Sequence, residues 1–340
     1  MLLRGIAAVI LLALLAAPPA RAQAKTEIEH TSLALPAVAA IFSSAYVAQD
    51  AGIYKELGLD VTEQMIQGIG SANAVIAGSM DFSMSSGVTL TRAAARKQPV
   101  IGIANTYARS GFWIVIKKSI ADQRHFDPKA PLEERAKLLK GLRIAVGGIQ
   151  AIPDAYLKTI AKIGGLDPDT DLVRAGITPQ ETFGAMQSGA IDGASIGPPV
   201  LEQILKDDYG VILADGVTAN PVDPPWLTHV DANVVLTRRQ LCADHRSLCV
   251  KMGQAMVKAA AYMHDHPQET MAILDKRLNV RDPAILKDTY EKTLDATPLQ
   301  PVLDAKGLST ADDLNVAASF MPADQKLPSY DDIFTNEYVK

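Results

Sequence analysis

Four short segments of this sequence combine hydroxyls with glycine N–H groups: Leu35-Pro36, Gly68-Ile69-Gly70-Ser71, Ser85-Ser86-Gly87 and Gly147-Gly148-Ile149-Gln150. Ser71, Ser85 and Ser86 offer O–H donors. Gly87 and Gly148 offer N–H groups with no Cβ to shield them, so the set suits an anionic or carbonyl oxygen. Glycine and serine also fill such turns for backbone and capping reasons, so no single loop is diagnostic, and the argument rests on four recurring together. Arg109 is either a partner for a ligand carboxylate or sulfonate or a solvated surface arginine. Phe112 and Trp226 supply aromatic surface for a pocket wall or for internal packing. His229 is a lone loop imidazole and carries little weight.

Two patterns invite a catalytic interpretation. Gly193-Ala194-Ser195-Ile196-Gly197 fits G-x-S-x-G, in which a serine on a strained strand-to-helix turn attacks an acyl carbon. The residues ahead of it, Gln187 to Asp192, read as a helix end and turn, and Ser195 falls inside a short strand rather than after one. An exported serine hydrolase using Ser195 is therefore the alternative, not the expectation. His264 and His266 lie two apart and diverge around a helix that Pro267 ends. P-loop, dinucleotide-binding G-x-G-x-x-G and H-E-x-x-H patterns are absent, so neither cofactor nor metal is expected.

These residues need elements to carry them. Short apolar runs of strand length alternate with amphipathic segments of helical period, which predicts an α/β fold with mostly parallel sheets flanked by helices. Strands are predicted at 28–34, 61–66, 82–84, 100–104, 113–117, 143–146, 172–175, 194–196, 211–214 and 233–237. Helices are predicted at 37–50, 71–77, 88–97, 132–140, 152–163, 179–187 and 199–207, then at 248–264, 269–278, 284–294 and 311–320. In such sheets ligands bind outside the carboxyl ends of the strands, where the four loops fall. Glycine- and proline-rich breaks near Gly111 and Asn220–Pro225 suggest two hinge crossings. They predict one lobe of residues 25–112 plus 226–340 and a second of 113–225.

The chain has 340 residues, 48% of them hydrophobic and 21% charged, with a formal charge of −5. That length and balance suit a globular protein of two lobes and exclude a disordered chain or a multi-span membrane protein. No run of like charge offers a nucleic-acid or lipid-binding surface. Residues 1–24 read as a secretory signal peptide: Arg4, an apolar run from Gly5 to Ala17, Pro18-Pro19, then two small-x-small patterns around Arg21 and Gln23. Thirteen apolar residues are too few for a membrane span, which takes roughly 18–20. Cys242 and Cys249 are the only cysteines, and an exported chain invites their pairing. On one straight helix their Cα atoms would stand about 10.5 Å apart, against a limit of about 7 Å for a bridge. The disulfide therefore requires an intervening turn, which Asp244 as an N-cap would supply, and the spacing leaves the pairing open.

The segment Tyr46 to Val61, with Ala48, Gly52, Tyr54, Gly58, Leu59 and Val61 in place, resembles the A-x-x-x-G-x-[FY]-x-x-x-G-L-x-V signature of periplasmic solute-binding proteins of the nitrate/sulfonate/taurine type, which includes binders of thiamine-pyrimidine precursors. Gly68–Ser71 with Ile76–Phe82, Lys140–Val146 and Met186–Gly193 follow in the family's order, and the resemblance covers roughly residues 28 to 265. It implies a type II periplasmic-binding-protein-like fold of two lobes closing over a small-molecule ligand. It also implies a monomer in the periplasm, meeting the membrane only through an ABC transporter permease, and service to a sensor is a further alternative. The pyrimidine-synthesising enzymes related to this family carry a cysteine-rich segment that this chain lacks. The expected ligand is a small organic molecule, with or without one acidic group.

Overall fold

The structure, a computed structural model, describes residues 28–340, so the signal segment at 1–24 lies outside the described residues. The elements run β1 Glu29–Leu35, α1 Ser43–Asp50, α2 Ile53–Glu56, β2 Leu59–Met65, α3 Gly70–Ile76, β3 Phe82–Ser85, α4 Gly87–Ala95 and β4 Val100–Tyr107. Then come β5 Trp113–Lys117, α5 Lys118–Gln123, α6 Leu132–Ala136, β6 Arg143–Ala145, α7 Ile152–Ile163, β7 Val173–Ala175, α8 Pro179–Gln187, β8 Gly193–Ile196, α9 Val200–Lys206 and β9 Gly210–Asp215. The chain closes with β10 Asn233–Arg238, α10 Arg239–Asp244, α11 Arg246–Asp265, α12 Pro267–Leu278, α13 Pro283–Ala296 and α14 Ala305–Ala317. No described helix is long and apolar enough to cross a membrane.

The strands form two five-stranded sheets, ordered β2-β1-β3-β10-β4 and β7-β6-β8-β5-β9. In each, four strands run one way and one runs against them: β10 is antiparallel to β3 and β4, and β5 to β8 and β9. The sheets are thus mixed, and the reversed strand is in each case the one formed by chain arriving from the other sheet. Central strands such as β3 (Phe-Ser-Met-Ser) and β8 (Gly-Ala-Ser-Ile) are buried on both faces, as helix-covered sheets require. The edge strand β2 instead alternates, with Leu59 and Val61 buried and Asp60 and Thr62 exposed. Local chemistry starts the helices: Pro153 opens α7, Thr178 and Glu181 form a capping box on α8, and the Asp282 carboxylate caps α13. The Asp304 carboxylate accepts from the Gly307 N–H at 2.8 Å and starts α14 six residues before the predicted position.

The chain leaves the first sheet after Tyr107 and returns before Asn233. The two crossings lie side by side: the Ser110 hydroxyl donates to the Gly216 carbonyl at 2.8 Å, and the Ala232 N–H donates to the Tyr107 carbonyl at 2.9 Å. Asp231, fully buried at the end of the return crossing, ties several elements together. Its Oδ1 accepts from Asn105 Nδ2 at 2.6 Å, its Oδ2 from the Asp304 N–H at 3.3 Å, and its carbonyl from the Gly87 N–H at 2.9 Å. A Cβ at residue 87 would stand 2.4 Å from that carbonyl oxygen, so only glycine fits. Burial, and then the neighbouring Asp304, push the Asp231 carboxyl up to about 7.

Cys242 and Cys249 are bridged, with Cα atoms 5.5 Å apart. The required turn is present, but at His245, between α10 and α11, rather than at Asp244; Cys242 lies in a short helix and not in a lead-in. Both sulfurs sit in the core of the first sheet beside Leu248 and Met252. In the chain-entropy model a loop this short contributes ~2–3 kcal/mol. The Cys242→Ala, Cys249→Ala double variant should unfold at correspondingly lower urea, and reducing agent should do the same to the wild type alone. For Asp231 the native state holds a proton that the unfolded chain releases near its ordinary value, so stability falls as pH rises between about 4 and about 7. Asp231→Asn removes that titration. In urea denaturation its stability relative to wild type should improve from about pH 5 to about pH 8, and a gap constant with pH would show that Asp231 ionises as in water.

Candidate functional site

A cleft of about 710 Å³, counted to its open mouth, lies at the carboxyl ends of strands from both sheets. Pro36 follows β1, Ser85 and Ser86 end β3, Gly147 and Gly148 follow β6, and Ser195 and Ile196 end β8. The walls are largely apolar: Ala37, Ile41, Phe42, Ile69 and Ala232 on the first sheet's side, Ile152, Pro153, Pro179 and Ile196 on the second's, and Phe112 at the crossing. None of the lining residues is Asp, Glu, Lys, Arg or His.

Polar groups in the wall are few, and some lack protein partners. The Ser86 hydroxyl accepts from the Thr89 N–H at 3.2 Å and caps α4, while the Ser71 hydroxyl donates to the Gly68 carbonyl at 3.0 Å. Asn233 Nδ2 donates to the Ile41 carbonyl at 2.9 Å, but its Oδ1 has no partner; nor has the Ser195 hydroxyl, and both side chains are buried. An unpaired buried acceptor costs roughly 1–3 kcal/mol, and these two atoms carry that cost here. The sequence signal for Asn233 is slight: one amide opening an otherwise apolar strand.

The structure brings Pro36, Ser71, Ser85, Ser86 and Gly148 together in this cleft, with Phe112. It places the other candidates elsewhere. Leu35 is buried in the first core and Gly70 opens α3 behind Ser71. The N–H of Gly87, expected to face a ligand, is spent on the Asp231 carbonyl. Arg109 is paired with Asp295 at 3.1 Å on the surface. Trp226 is 42% exposed on the return crossing. Gln150 lines an adjoining pocket, where its carbonyl accepts from Arg92 Nη2 and its N–H donates to Asp154.

The rims meet across the mouth. Gln67 Nε2 donates to the Gly147 carbonyl at 3.4 Å, Gln180 Nε2 to the Val38 carbonyl at 2.5 Å, and Gly148 faces Gly68 so closely that a Cβ would stand 3.2 Å from the opposite Cα. The two glycine loops are therefore needed for close approach of backbone to backbone at least as much as for exposed N–H groups.

Ser195 sits within β8, as the sequence pattern indicates, and no imidazole or carboxylate lines the cleft to act as its base. Outside the cleft, His229, Asp231 and Asp304 bring potential ligand atoms within 4.8 Å of one another. Their atoms are already engaged: His229 Nε2 with Asp304 at 2.7 Å, Asp304 Oδ1 with the Gly307 N–H, and Asp231 with Asn105 and the Asp304 N–H. The cluster fastens the crossing to the start of α14.

Solved structures share this architecture. A protein from Bordetella bronchiseptica RB50 superposes with a TM-score of 0.77 at 19% identity, over 91% of this chain and 95% of that one. The alkanesulfonate-binding protein SsuA from Xanthomonas axonopodis pv. citri, bound to MOPS, gives 0.67 at 16% identity, over 91% and 99%. The periplasmic nitrate-binding protein NrtA from Synechocystis PCC 6803 gives 0.64 at 15% identity, over 92% and 87%. At such identities these likenesses speak for the fold. No curated protein matches the chain by sequence. Residues 29–278 match the NMT1-like family, a span that contains all four sequence motifs and most of the described chain, and the protein belongs to that family.

Proposed function

We propose that this protein is a periplasmic solute-binding component of an ABC importer. A small organic molecule is captured between a lobe of residues 25–112 plus 226–340 and a lobe of 113–225, and is then delivered to a permease. The protein works as a monomer, reaches the membrane only through that permease, and performs recognition without chemistry. One observation carries this reading: loops from the strand ends of both sheets converge on a single cleft whose walls are apolar and free of charged side chains, with Ser195 Oγ and Asn233 Oδ1 unpaired. A cleft of this shape encloses an organic body and fixes it by a few hydrogen bonds. A bare inorganic ion would find no charge there to offset its lost hydration. The solute-binding fold neighbours accord with the reading.

A thermal-shift panel of sulfonates, nitrate, bicarbonate, aromatic and aliphatic carboxylates, pyrimidines and flavins tests it. A ligand at 100 times its Kd stabilises by about 2.7 kcal/mol, a shift of several degrees. Asn233→Ala should weaken the best ligand about tenfold, and Ser195→Ala by a smaller factor, since a serine hydroxyl contributes one hydrogen bond. Consumption of the compound, abolished by Ser195→Ala, would overturn the assignment in favour of an enzyme.

A further inference from the structure

Beside the main cleft, and sharing Ile69 and Thr89 with it, lies a second pocket of about 540 Å³ counted to its mouth. It is formed by α3, α4 and the loop after β6. Its charged lining residues are Arg92 and Arg96, and no acidic side chain joins them. The two arginines stand four apart at the end of α4, on one helix face.

Arg92 is an unusual arginine. It is only 5% exposed, yet it is not ion-paired among the described residues. Nη2 donates to the Gln150 carbonyl at 3.0 Å, the guanidinium lies 5.2 Å from the centre of the Phe320 ring, and Nη1 is buried without a partner. Asp154, whose field reaches it, is already saturated by Arg174 at 2.7 and 2.8 Å and by the Gln150 N–H at 2.7 Å. Burial, and then Arg96, lower the Arg92 pKa to about 10, so the group remains a cation at neutral pH. A buried cation without a counter-charge is costly, whereas one that accepts an oxyanion in its planar fork is favourable.

We propose that this pocket is an oxyanion site, in which Arg92 and Arg96 hold a carboxylate-like group across the two rims that Arg92 and Gln150 already join. It rests on the solute-binding reading of the cleft for one of its two sources: the oxyanion belongs to the solute, whose body fills the uncharged cleft, or it is a free inorganic anion bound next to that solute. If the oxyanion is the solute's, the proposed partner for a ligand acid is Arg92, while Arg109 pairs with Asp295.

Isothermal titration at constant ionic strength with benzoate, benzamide and sulfate decides between these outcomes. Arg92→Met should weaken oxyanion binding by about tenfold or more, Arg92→Lys by less because it keeps charge but not the fork, and Arg96→Gln by a few-fold, with benzamide scarcely affected. Strong, Arg92-dependent benzoate binding with weak sulfate assigns the acid to the solute. Arg92-dependent sulfate binding with no preference for benzoate over benzamide assigns a free ion. If wild type binds neither oxyanion, or binds them no better than Arg92→Met does, the site is refuted. Should Arg92→Met not fold, unchanged oxyanion affinity in Arg92→Lys and Arg96→Gln refutes it equally. Benzoate binding that depends on Asn233 but not on Arg92 would overturn the oxyanion site and leave the cleft reading intact.

Discussion

Each sheet of this protein is completed by a strand that runs against its neighbours, and the geometry of the rest follows from that constraint. β5 and β10 enter their sheets directly from the crossings, so the crossings are clamped at both ends by strand hydrogen bonds. Between those ends they are clamped to each other. Ser110 holds Gly216, and a Cβ on Gly216 would stand 2.7 Å from the Ser110 hydroxyl oxygen; the first crossing also packs on the end of β8, where a Cβ on Gly197 would stand 2.5 Å from the Gly111 carbonyl oxygen. Across these crossings, the carboxyl ends of parallel strands from the two sheets face one cleft. The cleft is a consequence of that arrangement, and its hydroxyls and glycine loops are positioned by the strand ends rather than by long loops of their own.

The C-terminal helices add a second set of ties. α13 packs on α9, where Lys292 pairs with the buried Glu202 at 3.0 Å and Lys206 pairs with Asp282. α14 packs on α4 from the first sheet and on α7 from the second, with Ala311 and Leu314 in the same apolar cluster as Tyr156 and Leu157. Burial pulls the Glu202 carboxyl upward, against the opposing pull of Lys292. Movement of one sheet relative to the other therefore has to slide packed helices as well as bend two crossings, a shear component added to a hinge. The segment 226–340, assigned to one lobe from its sequence, thus also packs on α7 and α9, helices that flank the second sheet.

Much of the fold was legible because its signals are local. All ten strands fall where apolar runs predict them, and α7 and α8 match to the residue because proline and a capping box mark their starts. The helices that escaped, α2, α5 and α10, have four to six residues, too few for a period to show. α14 starts six residues before its predicted position because the Asp304 carboxylate caps it through the Gly307 N–H, and Gly307 lies against Asp231. The site was legible to the extent that it consists of strand ends. That rule picks out Pro36, Ser71, Ser85, Ser86 and Gly148, which line the cleft, whereas Asn233 and Arg92 enter the proposals only through what the tertiary structure sets opposite them. Arg92 did leave a trace, as a charge four residues from Val88 on the buried face of α4.

The contents of the cleft also bear on a serine that looks catalytic in sequence and for which recognition is proposed. A nucleophile needs a base to take its proton, and among the described residues lining this wall there is neither imidazole nor carboxylate, so the proposed role for the Ser195 hydroxyl is a hydrogen bond to the solute. In apolar surroundings that is enough to discriminate. A compound that satisfies Asn233 Oδ1 and Ser195 Oγ loses little on leaving water, whereas one of the same shape without a donor leaves a buried acceptor unpaired. Selectivity of this kind grows as the wall becomes less polar, because each remaining polar atom then has fewer substitutes. A cleft almost devoid of polar partners is therefore exacting about the few it offers.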